Sequence, residues 1–198
     1  MINFGANTVS RIDIIIPIFY LPELYLTIKR CLDSIEKYYP DFNLTTIDDS
    51  EGYCPFKCKY KNDGNLGYVR TVNRGLALSE GDVIIIGNDD LEFEKGDLDR
   101  FRTIGDGIYS PRDTASGNLE TFGSIWGMNR ATFEKMGYLS DTFKHFCSDL
   151  EYFDRAIKKN VPVVKWHDIV VKHEESATYN KLDKRKLLKQ DASRYIIS

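Results

Sequence analysis

A chain of 198 residues, 42% hydrophobic and 29% charged, is long enough to bury a sizeable core and too apolar to stay disordered. Its net charge of −3 argues against a nucleic-acid binder, whose footprint is basic, and no apolar run approaches the ~20 residues that a membrane span requires. The start, MINFGANTVSRID, lacks the charged head and apolar block of a signal peptide, so a cytoplasmic protein with reduced thiols is expected. Cys54 and Cys58 form a C-x3-C pair, but no second close pair completes a zinc site beside Cys31 and Cys147.

In chain order, IDIIIPIFY (12–20) is a β-branched apolar run that predicts a buried strand finishing at Pro17. Residues 22–39 turn helical, with Leu24, Ile28, Cys31 or Leu32, and Ile35 on one face, and Pro40 ends the helix. NLTTI (43–47) and CKYKN (58–62) predict two more strands, the first running into Asp48-Asp49-Ser50. Residues 65–79 read as a loop entering a helix, followed by a strand over 82–86. Strand and helix alternate, which predicts a mostly parallel sheet covered by helices. Beyond it come a helix over 95–104, a short strand over 107–110, an extended stretch over 120–128 and a helix over 130–136. An amphipathic helix over 148–160, with Ser148 as N-cap, and two strands, VPVVKW and DIVVKH, complete the pattern. The division expected is one catalytic domain over 1–179 and a basic helical tail over 180–198.

Ligands of parallel sheets bind beyond the carboxyl ends of the strands. Three such ends carry polar groups: Pro17–Tyr20, Asp48–Asp49–Ser50 and Asn88–Asp89–Asp90. Adjacent carboxylates after a buried strand either point into water or hold a cation.

Six stretches, DIIIPIFYLPE, TIDDSEG, NLGYVRTVNRGLALSEGDVIIIGNDD, GSIWGMNRATFEKMGYLSD, SDLEYFDRA and VVKHE, together resemble the family 2 glycosyltransferases with the GT-A fold, from about residue 12 to 174. The chain looks like a short, single-domain member. The resemblance implies a Rossmann-like nucleotide-binding α/β fold and a hexosyltransferase-type enzyme. Such an enzyme moves a sugar from a nucleotide-diphosphate donor, most commonly a UDP-sugar, to an acceptor hydroxyl. It also implies Mn2+ or Mg2+ as cofactor, and a glycan, lipid-linked or protein acceptor as partner. Asn88-Asp89-Asp90 stands where the family keeps its D-x-D, so Asp90 matches the metal ligand, and Asn88 departs from the usual carboxylate while still offering an amide to a ribose. His173 matches a histidine that completes the metal site. Asp49, with Asp48 second, matches a carboxylate facing the nucleobase, and Pro17, Ile18 and Phe19 form the opposite wall; Asp-Asp-Ser is equally a turn sequence. Asn65, Arg70 and Asn73 sit in the N-x-G-x5-N-x-G piece beside the donor, where Gly67 and Gly75 permit close backbone packing; a solvated helix face is the plain alternative for Arg70.

Asp149 matches the catalytic base, which takes the proton from the acceptor hydroxyl as it attacks with inversion, although an acidic residue there also suits the helix dipole. Glu151 is a candidate acceptor contact or merely the i,i+4 partner of Arg155. Trp126 is read as the floor of the sugar pocket and an acceptor contact, with core packing as the alternative. Arg112, Asn118 and Glu120 form a polar loop facing the acceptor. Rival readings are a nucleotidyltransferase acting on sugar phosphates, an inactive nucleotide-sugar-binding module, a glycoside hydrolase and an interaction scaffold. The tail KLDKRKLLKQ, with five basic residues and one acidic, reads as a solvated helix, with weak contact to an anionic membrane as the alternative.

Overall fold

The computed structural model describes residues 10–115, 123–174 and 184–195. Asn118 and Glu120 lie outside them, as does the start of the expected tail. Strands β1 (Ile12–Ile18), β2 (Asn43–Asp48), β3 (Tyr60–Lys61) and β4 (Val83–Gly87) run parallel in the order β3-β2-β1-β4. Strand β7 (Ile125–Asn129) joins β4 antiparallel. Beyond it lie β6 (Ile108–Asp113), β8 (Val163–His173) and β5 (Leu91–Glu92).

Helix α1 (Tyr25–Tyr38) covers one face of this sheet. Helices α2 (Tyr68–Leu78), α3 (Arg130–Met136) and α4 (Ser148–Lys158) cover the other. Period-two alternation assigns the side chains. Ile14, Ile16 and Ile85 pack with Ile28, Cys31 and Ile35 of α1. Ile15, Ile84 and Ile86 pack with Val69, Val72 and Leu76 of α2 and with Phe153 and Ala156 of α4. With both faces buried, β4 is apolar throughout and β1 is apolar except for Asp13 near its start. Gly75 lets α2 lie directly on the Ile15 side chain, where a Cβ would collide.

Several local expectations are corrected. Residues 95–104 do not form one helix: turns lead into a short 3-10 segment over Asp99–Thr103. The two C-terminal strands are one, β8, whose register against β6 shifts at Pro111/Arg112. Proline tolerates such an irregularity, so β6 continues past Pro111 to Asp113 instead of stopping at residue 110. Helix α4 has Cys147, not Ser148, at its N-cap, with a left-handed φ of 62° and no side-chain cap. Helix α5 (Lys184–Tyr195) is not a freely solvated tail, because its Asp191 is buried against the loop before α4. Among the described residues no helix is long and apolar enough to cross a membrane.

Candidate active site

The three polar strand ends meet on one rim. The Asp49 N–H donates to Ile18 O (2.8 Å), the Tyr20 N–H to Ser50 Oγ (2.9 Å), and the Phe19 N–H to Asp89 Oδ2 (3.2 Å). Parallel register causes this convergence: Ile18 lies beside Asp48, and Ile15 beside Ile86. Pro17 and Ile18 are buried, so only Phe19 and Tyr20 offer side-chain surface at this wall. Burial and the neighbouring Asp90 charge push the Asp89 carboxyl up to about 8. The Asn88 side-chain oxygen is buried without a hydrogen-bond partner, a costly state that a ligand at the rim would relieve.

Strand β8 brings His173 to this corner through its pairing with β5, opposite Leu91. Its Nε2 lies 3.1 Å from Asp90 Oδ1, and its Nδ1 lies 3.4 Å from Asp113 Oδ1. Asp113 is itself held by the Ser124 hydroxyl (2.5 Å) and the Ala115 N–H (2.9 Å). Burial opposes a charged imidazole here, but the carboxylates of Asp113 and Asp90 outweigh it and raise His173 to about 9. A carboxylate on Nδ1 that turns Nε2 toward a second carboxylate is how proteins orient a metal-binding histidine. Hard oxygen with imidazole suits Mn2+, so the residues fit the cation. Among the described residues no three such groups form a complete cage. The adjoining cleft, about 360 Å³, continues past Thr27, Arg30 and Glu174. Arg30 and the Thr27 hydroxyl both donate to Glu174, at 2.6 and 2.9 Å.

Asp149 stands in the first turn of α4, beneath Gly123. With φ at +126°, Gly123 has a conformation that suits glycine, and any Cβ there would strike the Asp149 carboxylate. Burial pushes Asp149 above the ordinary carboxylate value, which strengthens it as a base. Gly67 (φ +86°) similarly lets the 65–67 loop approach Lys144 in the loop before α4.

Other expected donor and acceptor contacts have structural roles. Asp49 accepts from Asn62 Nδ2 (2.8 Å), Leu66 N–H (2.8 Å) and Gly67 N–H (2.9 Å), so it clamps the N-L-G loop rather than offering a free edge to a base. Asp48 accepts from the Ser50 N–H and pairs with Lys61 at 3.3 Å. Asn73 exchanges two bonds with the Leu139 backbone, both 2.9 Å, and so fastens α2 to the 139–141 turn. Glu151 pairs with Arg155 at 2.9 Å, and Arg155 also donates to Met136 O and Tyr138 O. Trp126 is 1% exposed and packs against Tyr152 and Phe153, so it is a core residue and not a sugar platform. Arg70 is exposed, Arg112 is half-buried, and Asn65 is half-buried with its side-chain oxygen lacking a partner.

Sequence reading missed Asp113 and Gly123. Asp113 was legible in principle, since it ends a strand as Asp48 does, but Pro111 concealed the length of that strand.

Comparisons with known proteins agree with this fold. Residues 13–103 match the family model described as Glycosyl transferase family 2. No curated protein matches the sequence. Among solved structures, a mannosyltransferase from Pyrobaculum calidifontis, in complex with GDP-Man and Mn2+, superposes with a TM-score of 0.70 at 14% identity. It covers 97% of this chain, which spans 66% of its length, just under two thirds. A mutant Drosophila galactosyltransferase complexed with manganese, UDP-Gal and xylobiose gives 0.67 at 14% identity, covering 94% of this chain and 79% of its own. The first half of the chain is thus similar to glycosyl transferase family 2 over residues 13–103, and the chain has the GT-A fold of these neighbours.

Proposed function

We propose that this chain is a metal-dependent glycosyltransferase that moves a sugar from a nucleotide-diphosphate donor, a UDP-sugar, to the hydroxyl of a glycan acceptor with inversion. The observation that carries the reading is the corner formed by Asp90, His173 and Asp113 on the same rim as the buried Asp89 and the half-buried Asn88 with its buried amide oxygen. Both solved neighbours hold manganese with a nucleotide sugar, which supports the same class of donor here.

Asp90 and His173 would hold Mn2+ or Mg2+, and the bound cation would neutralise the departing diphosphate. The protein's own residues do the rest. The N-L-G loop, clamped by Asp49 and fitted against Lys144 at Gly67, stiffens the nucleotide side of the rim. The walls at Phe19 and Tyr20 enclose the base. Asp149, made more basic by burial, removes the proton from the acceptor hydroxyl as its oxygen attacks the anomeric carbon. The catalytic unit is assigned to residues 1–179, with α5 docked on it.

Asp149→Asn tests the reading. With a panel of nucleotide sugars and Mn2+, wild type turns over one donor. The variant binds that donor within about twofold and loses about 10²- to 10⁴-fold in kcat, the range for a lost general base. Full turnover in the variant would remove Asp149 from the mechanism.

A further inference from the structure

Resting on the reading of Asp149 as base, we infer that Asp191 on the C-terminal helix is a positioning residue for the transfer reaction. Its carboxylate is 1% exposed and is gripped by three successive backbone N–H groups. His145 donates to it at 2.8 Å, Phe146 at 2.9 Å and Lys144 at 3.3 Å. Successive N–H groups aimed at one point form an anion-binding concavity, and a charged acceptor there makes each bond stronger than a neutral one. Arg194, one turn on, pairs with the same carboxylate at 3.4 Å and donates to Thr142 O at 2.9 Å. Tyr195 donates to Asp154 of α4 and faces the Phe143 ring, with centroids 6.4 Å apart. One helix therefore holds both the 142–146 loop and α4.

What that loop carries gives the contact its consequence. It continues into Cys147, whose left-handed backbone turns the chain into α4, and Asp149 follows two residues later. On its other side, Lys144 O accepts the Val69 N–H at 3.2 Å, at the start of the helix behind the N-L-G loop. The base and the nucleotide loop thus meet at one support that Asp191 fixes, but the loop keeps its own clamp on Asp49, so loosening falls on the base. Displacing a reacting group by about 1 Å can cost on the order of 10²-fold in rate, so loosening this support reaches the chemistry without touching the substrate.

The test uses full-length Asp191→Ala and Asp191→Asn. Hydrogen exchange in wild type shows protected amides at Lys144, His145 and Phe146. Asp191→Ala loses that protection while β1 and β4 keep theirs, and Asp191→Asn, which retains one acceptor oxygen, falls between. Turnover of the panel's best UDP-sugar with Mn2+ drops at least about 10-fold in kcat in Asp191→Ala, with the donor KM within about twofold. Unchanged protection at 144–146, unchanged kcat, or a joint fall of kcat and donor affinity with protection lost across the sheet overturns the inference. A wild type with protected amides but no turnover of any donor instead sinks the glycosyltransferase reading, and the catalytic half of this inference with it.

Discussion

His173 stands between two carboxylates, and the pair divides its labour. Asp90 shares the Nε2 side, where a cation would sit, while Asp113 holds Nδ1 and is itself fixed by Ser124 and Ala115. Asp113→Asn is expected to weaken Mn2+ binding about 10- to 100-fold, the usual cost of losing the partner that orients a ligating histidine. Calorimetric titration of the metal, with the nucleotide present, checks it; an unchanged Mn2+ affinity would reduce Asp113 to a strand-end turn residue. Asp149 makes a second prediction. Its carboxyl is raised by burial, and it must be ionised to act, so activity is present above that raised pKa and lost as pH falls through it. The acid limb of kcat/KM should therefore lie above the ordinary carboxylate value of 3.8, and residual activity of Asp149→Asn should lack that limb. A limb that persists unchanged in the variant would belong to another group.

Among the elements, β1 and β4 were legible because their Ile- and Val-rich runs with both faces buried admit few other conformations. Helix α3 was read to its exact ends, since Asn129 caps it through the Thr132 N–H and Gly137 follows it. Less was legible where one residue type serves two purposes. Trp126 and Asp49 carry the right chemistry for a sugar or a base, but their burial and hydrogen bonds depend on elements distant in sequence. Nothing in the basic tail singled out Asp191 by sequence, and only the packed loop reveals its partners.

Asp13, at the start of β1, shows the same economy. Its buried carboxylate accepts from Ser79, Glu80 N–H and Gly81 N–H, all at 2.8 Å, and from Asn43 at 2.9 Å, tying β1 to the turn before β4 and to β2. Burial alone would raise its pKa, but those bonds prevail and hold it below 3.8. A depressed carboxylate contributes stability that is present above its unfolded value and lost as pH falls through the folded one. Asp13→Asn should cost roughly 1.5–3 kcal/mol near neutral pH, the scale of hydrogen bonds to a charged group. The gap from wild type should narrow once pH drops below 3.8. Urea unfolding at a series of pH values measures both; a gap independent of pH would assign the loss to packing.

For the whole molecule, the parallel half of the sheet supplies the rim proposed to hold the nucleotide, while the long β8 returns His173 to it through its pairing with β5. The family match covers residues 13–103, while the fold match extends over nearly the whole chain. The side chains that complete the site come from the second half. The central claim is that Asp90 and a divalent cation together grip a nucleotide diphosphate. Titrating UDP into wild type and Asp90→Ala, each with and without Mn2+, tests it most directly. The account predicts tight binding only for wild type with the metal, with affinity at least about 10-fold lower in the other three combinations. Equal affinity in all four would contradict it.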